Sequence, residues 1–179
     1  MKKDYFAPII VLMVICLVVS GALAVSNSIT EPIIAKAAAE RADSARKSIL
    51  PNATGFELLD IENFRSDGSI SKRITDVYRS TNNVGYIFMI TTSGYGGEIK
   101  LICGIDPSGK IINTTTLSQT ETQGLGTPVF AEAHAGQYKG KDKNGAEGIS
   151  AISGATISSN AFKNGILDAL AAFEIVRAR

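Results

Sequence analysis

From Tyr5 to Thr30 the chain carries no charged residue, and the heart of that run, Ile9 to Val25, reads IIVLMVICLVVSGALAV. A helix of about 20 apolar residues crosses the roughly 30 Å hydrocarbon core of a bilayer, so this run is long enough to span one. Lys2 and Lys3 stand just ahead of it. Basic residues favour the cytoplasmic side, which predicts an N-terminus inside and everything after Ser26 outside. The alternative is a cleaved signal peptide, with Ala22-Leu23-Ala24 as a small-residue cleavage site. The uncharged run continues past that site, and its length favours a retained span from about Phe6 to Val25. Pro8 is tolerable near the start of a helix, where the N–H groups lack intrahelical partners.

The chain has 179 residues, so the span leaves room for one further domain of ordinary size. Lys and Arg number 18 against 17 Asp and Glu. That balance gives no field to hold nucleic acid by counterion release, and no nucleic-acid partner is expected. Cys16 falls in the span and Cys103 in an expected strand; they are not expected to pair. No CxxC spacing occurs, so neither an iron–sulfur cluster nor structural zinc is expected. The only histidine, His134, has no partner at ligand spacing and reads as a surface residue.

Beyond the span, Thr30-Glu31-Pro32 has the form of a helix start, with Thr30 as cap and Pro32 in the first turn. The following residues, IIAKAAAERADSARKSI, are good helix formers, and Leu50-Pro51-Asn52 ends them. The expected division is therefore 1–28 for the cytoplasmic start and membrane helix, 29–52 for a stalk helix with an Ala/Ile face on the domain, and 53–179 for the domain. Between Phe56 and Ser118 short stretches rich in Val, Ile, Thr and Tyr alternate with turn signals, among them Asp67-Gly68, Asn82-Asn83 and Asp106-Pro107-Ser108-Gly109. Five antiparallel strands follow, at about 56–61, 73–80, 84–92, 98–105 and 110–117. A short helix capped by Thr127, with Pro128 in its first turn, and a solvated loop at 139–148 come next. The last element is a helix from about Ser158 to Ala178, striped by Phe162, Ile166, Leu170 and Phe173. Strands followed by helices make an α+β domain with the final helix packed on an antiparallel sheet.

Three segments carry candidate chemistry. Ser153-Gly154-Ala155-Thr156-Ile157-Ser158-Ser159 opens the last helix, and a helix N-terminus with unpaired N–H groups suits a phosphate. Gly154 and Ala155 would let the backbone approach, and Ser153, Thr156, Ser158 and Ser159 could donate hydrogen bonds. The same residues also suit a plain N-cap. Ser93-Gly94-Tyr95-Gly96-Gly97-Glu98 reads equally as a glycine hairpin or as bare backbone that admits a flat ring. Glu121-Thr122-Gln123-Gly124-Leu125-Gly126-Thr127 reads as a loop with a cap or as the far wall of a site.

In this order, GYGG, then ETxGLG, then SGATxSS opening the last helix, the segments resemble the covalent FMN-binding domain of the Rnf and Na⁺-translocating NADH:quinone reductase complexes. The membrane helix and short chain look most like the G subunit of Rnf, and the resemblance covers nearly the whole chain. It implies FMN joined by a phosphoester to the matching threonine, Thr156, through a flavin transferase that uses FAD. It implies Tyr95, Gly96 and Gly97 on one side of the ring and Glu121, Thr122, Leu125 and Gly126 on the other. The chain would then relay electrons, without a substrate-turnover site of its own, inside an ion-translocating ferredoxin:NAD oxidoreductase. Its partners would be the other membrane and peripheral subunits of that complex, and its place the bacterial cell (inner) membrane with the domain extracytoplasmic. Other readings are an independent extracytoplasmic flavin carrier or reductase and a non-redox anchored binding module. Two positions depart from the family pattern: Ser150 stands where an Asp is common, and Gln123 where the family has proline.

Overall fold

A computed structural model describes residues 3–178. Lys2, half of the basic pair used for orientation, lies outside the described residues. The chain divides into two compact units, Met1–Arg41 and Ala42–Arg179.

Helix α1, Lys3–Ile49, occupies the first unit and enters the second. The helix start expected at Thr30 is absent, because the helix runs through it. Thr30 lies inside α1 and its hydroxyl donates back to the Ser26 carbonyl at 2.9 Å, as Ser28 does to Val25. Such back-bonding lets a hydroxyl residue sit within a helix instead of capping one. From Ile9 to Val25 the apolar side chains are exposed on every side, the pattern that a bilayer and not water accommodates. Among the described residues this is the one helix long and apolar enough to cross a membrane.

In the second unit the last turns of α1 are core. Ala42 and Ile49 are buried, as is Leu50 just past the helix, so the expected Ala/Ile face exists there. Ile49 lies so close to Gly104 that a Cβ at that glycine would strike its Cγ2. Arg46 ion-pairs with Asp43 and holds its guanidinium 4.3 Å above the Tyr78 ring.

The sheet is a meander of β1 (Phe56–Leu59), β2 (Ile74–Ser80), β3 (Tyr86–Ser93), β4 (Glu98–Ile105) and β5 (Ile111–Ser118), each antiparallel to the next. A short helix, α2 (Glu62–Ser66), precedes the Asp67-Gly68 turn and was not expected from the pattern. The β4–β5 turn forms on Asp106, whose Oδ1 accepts from the N–H groups of Ser108 at 2.8 Å and Lys110 at 2.9 Å, with Gly109 at φ +87°. Strand alternation sorts the two faces. Phe88 and Cys103 pair across β3 and β4, as do Ile90 and Leu101, and all four face the large core. Ile87 and Ile102 point the other way and are covered by Ile49 and Leu50.

Helix α5, Thr156–Arg177, closes the large core with Phe162, Ile166, Leu170 and Phe173, the expected stripe, all buried. Between β5 and α5 lie a 3₁₀ turn at Thr127–Phe130, α3 (Glu132–Ala135), a second 3₁₀ turn at Gly136–Tyr138 and α4 (Lys143–Glu147). Three features of this stretch differ from the sequence pattern. Thr127 does not cap its turn by side chain; its Oγ1 accepts from Gly124 N–H at 3.0 Å. The 139–148 segment holds α4, because Asp142 caps it through Gly145 N–H at 2.8 Å and Ala146 is buried beneath. His134 is no surface residue: it is 5% exposed, edge-on to Tyr138 and Phe162, and its Nε2 has no hydrogen-bond partner. Burial lowers its pKa, and the nearby Lys163 charge adds to that. Burial also pushes the Cys103 thiol up to about 12, which makes it inert.

Candidate functional site

The three glycine segments meet at one end of the sheet. Ser93 pairs with Glu98, so residues 94–97 form the tip of the β3–β4 hairpin, closed by Gly94 N–H to the Gly97 carbonyl at 2.8 Å. Gly97 sits at φ +138°, a backbone state that side chains rarely permit. Leaving β5, the chain returns to this tip: Thr120 Oγ1 donates to the Gly96 carbonyl at 3.0 Å, and Glu121 Oε1 accepts from Gly96 N–H at 3.0 Å. It then folds into a tight turn in which the Thr122 carbonyl accepts from Leu125 N–H at 3.1 Å and Gly126 N–H at 2.9 Å.

The third segment supplies the start of α5, which begins at Thr156 and not at Ser158. Gly154 takes φ +81° with open space around it, so glycine serves the turn and not a close contact. The residue before the helix, Ala155, has no side-chain acceptor, and no side chain caps the first turn. The helix's first intrahelical bond is Ser159 N–H to the Ala155 carbonyl at 2.9 Å. The N–H groups of Thr156, Ile157 and Ser158 are therefore the ones a helix leaves for an anion.

The four hydroxyls of this segment differ sharply in their surroundings. Ser158 is buried and donates to Glu121 Oε2 at 2.5 Å. Ser159 is buried and accepts from Ile152 N–H at 3.1 Å. Ser153 is exposed and lies off the cleft that opens here. Thr156 is exposed and lines it.

That cleft has a volume of about 380 Å³. Of the residues expected from sequence, Tyr95, Glu121, Thr122, Leu125, Gly126, Gly154, Ala155, Thr156 and Ser158 line it; Gly96, Gly97, Ser153 and Ser159 do not. Gly126 makes room for a side chain: a Cβ there would sit 2.5 Å from Glu121 Oε2 and 3.1 Å from Ser158 Oγ. Ile157 also lines the cleft and was missed. Its signal was available, since an isoleucine between hydroxyl residues in a first helical turn must point somewhere, and at 56% exposure it points outward. Tyr95 at 74% and Leu125 at 60% are exposed with it. Large apolar side chains left in water around a concavity mark a surface meant to be covered.

FMN needs apolar surface for a flat three-ring system and an anion site for its phosphate. Tyr95, Leu125 and Ile157 offer the first; the uncapped start of α5, with Thr156 lining the cleft, offers the second. The residues present fit that group.

Comparison with known proteins agrees. Residues 94–171, from the hairpin tip through most of α5, match the FMN-binding domain family. The chain is similar to the G subunit of the Na⁺-translocating ferredoxin:NAD⁺ oxidoreductase complex of Acetobacterium woodii, at 33% identity over 88% of this chain and 86% of the relative. It is similar to the G subunit of the ion-translocating oxidoreductase complex of Methanosarcina acetivorans, at 32% identity over 94% of this chain and 92% of the relative. The G subunit of the proton-translocating ferredoxin:NAD⁺ oxidoreductase complex of Clostridium ljungdahlii is 26% identical over 89% of this chain and 86% of the relative. Motifs, fold and near full-length similarity coincide, and the chain belongs to the family of G subunits of Rnf-type ion-translocating oxidoreductase complexes.

Proposed function

We propose that this chain is a single-pass, membrane-anchored electron-transfer subunit that holds FMN covalently, through a phosphoester to Thr156 Oγ1, on the extracytoplasmic side of the membrane. The observation that carries the reading is the separation of the hydroxyls at the α5 start: Ser158 and Ser159 are committed to Glu121 and Ile152, while Thr156 faces the cleft. A phosphate bridging Thr156 and the flavin ribityl chain is a diester with one negative charge. Placed there, it gains from the helix dipole by roughly 0.3–1 kcal/mol in exposed settings, and more where partly buried. The uncapped N–H groups of Thr156, Ile157 and Ser158 are its donors. Tyr95, Leu125 and Ile157 give the ring apolar cover, with Thr122, Gly126, Gly154 and Ala155 shaping the cleft between them. Gly96 and Gly97 act one layer back by fixing the hairpin tip, and Ser153 leads the chain into the Gly154 turn.

Bound FMN supplies electron transfer, and the protein supplies orientation and electrostatics. The cleft lining contains neither histidine nor lysine, and its one carboxylate is tied to Gly96 and Ser158. A relay within a complex fits this lining better than turnover of a separate substrate. The partners are the other membrane and peripheral subunits of the complex and, during maturation, a flavin transferase. The similar proteins of A. woodii and C. ljungdahlii act, by name, in ferredoxin:NAD⁺ oxidoreductases that translocate Na⁺ and protons respectively. The same electron route is proposed here, with residues 1–28 as cytoplasmic start and anchor, 29–52 as stalk and 53–179 as flavin domain.

Intact-mass analysis of the protein made together with a flavin transferase tests the reading. The expected mass is that of the chain plus FMN less one water. An unmodified chain from cells whose transferase is active on another substrate would refute the covalent attachment.

A further inference from the structure

Among the described residues Glu121 is the only buried carboxylate, at 8% exposure, and it forms part of the cleft wall. Oε1 accepts from Gly96 N–H at 3.0 Å and Oε2 from the Ser158 hydroxyl at 2.5 Å. Both contacts suit a carboxylate, which accepts from the amide and from the hydroxyl. No lysine, arginine or histidine forms an ion pair with it among the described residues. The surroundings are shaped to it, since a Cβ on Gly94 or on Gly126 would strike this carboxylate. A buried charge without an ion-pair partner is costly, and a neutral amide could make the same two contacts without that cost. Its carbonyl oxygen would accept from Gly96 and its NH₂ would donate to Ser158 Oγ. What glutamate adds at this position, and glutamine would not, is the negative charge.

From this, and resting on the FMN reading above, we infer that Glu121 sets the reduction potential of the flavin. Its carboxylate puts a fixed negative charge in the wall of the cleft, which makes electron uptake less favourable and holds the potential low. Each electron that enters the ring adds negative charge unless a proton follows it. Repulsion between that charge and a carboxylate is strong where burial keeps the effective dielectric low. The hydrogen bonds to Gly96 and Ser158 fix where the charge stands, because they tie it to the hairpin tip and to the first turn of α5. Glu121 is thus a positioning and tuning residue, acting on the flavin by field.

The experiment is a redox titration of the full-length chain made with a flavin transferase. Dithionite is the reductant, mediator dyes equilibrate the cofactor, and flavin absorbance is followed; in-gel fluorescence confirms covalent flavin in each variant. Glu121→Gln keeps both contacts and removes the charge, so its midpoint potential should lie above wild type. Ser158→Ala keeps the charge and removes one of the bonds that compensate it, so its midpoint should lie below wild type. A Gln variant with an unmoved midpoint, or one that folds but carries no flavin, overturns the inference. A rise in Ser158→Ala overturns it too, because loss of positioning would then explain the change. Should the Gln variant not fold, Ser158→Ala decides alone: a midpoint below wild type supports the inference, and one at or above it refutes it. A wild-type chain without covalent flavin would sink the functional reading and this inference with it, whereas a flavin-bearing wild type with an unmoved Gln variant sinks only the inference.

Discussion

Ser158 and Ser159 look interchangeable with Thr156 in the sequence, and their partners separate them. Those partners are Glu121, remote in sequence, and the Ile152 N–H, and neither contact leaves a local signature. Thr156 could be singled out beforehand only through the family resemblance, while its exposure into the cleft is legible only in three dimensions. Ser159→Ala leaves the Ile152 N–H without its acceptor and should cost about 1–3 kcal/mol in urea unfolding. Flavin per folded molecule should stay at wild-type level, and a loss of flavin with unchanged stability would show that Ser159 serves the cofactor directly. At Gly126 a valine must displace the Glu121 carboxylate, so in-gel flavin fluorescence per molecule should fall well below wild type. His134 makes a separate prediction. Its folded pKa lies below the ordinary value, so as pH falls through about 6.5 the unfolded chain takes up a proton that the folded one resists. Stability should decline from that point downward, and thermal melts of His134→Phe should show a shallower decline between pH 7 and 5.

At the scale of elements, the strands were legible because each hairpin carries its own turn chemistry. Asp106-Pro107-Ser108-Gly109 closes on Asp106 as its residues require, and Asn83 takes φ 59° at the β2–β3 turn. Helix α4 was hidden by its charge: Lys139 to Lys143 read as solvated, and the Asp142 cap and the buried Ala146 carry the helix. The start of α5 was placed late because its N-cap is an alanine, which gives no capping signal. The unbroken α1 shows the opposite error, in which Thr30 and Pro32 give a start signal that the helix overrides. The end of α1 belongs energetically to the sheet. Ile49→Ala should therefore cost about 2–5 kcal/mol in urea unfolding, as large buried aliphatic truncations do. A cost below about 0.5 kcal/mol, the range of ordinary surface changes, would show that α1 does not complete the small core over Ile87 and Ile102.

For the whole molecule, the compact second unit begins at Ala42, within the helix that the sequence assigned to a stalk. A chain starting at Ala42 should fold on its own, whereas one starting at Ala53 should expose Ile87 and Ile102 and unfold at lower urea. A helix long and apolar enough to span was legible from composition alone, since a bilayer dictates length and apolarity without reference to partners. The proposed attachment of FMN, at Thr156, lies in this second unit. Its most direct test is a denaturing gel of Thr156→Ala beside wild type, both made with an active flavin transferase and read by flavin fluorescence before staining. A fluorescent wild-type band and a dark Thr156→Ala band of equal protein are expected; a Thr156→Ala band of wild-type fluorescence would move the attachment to another residue.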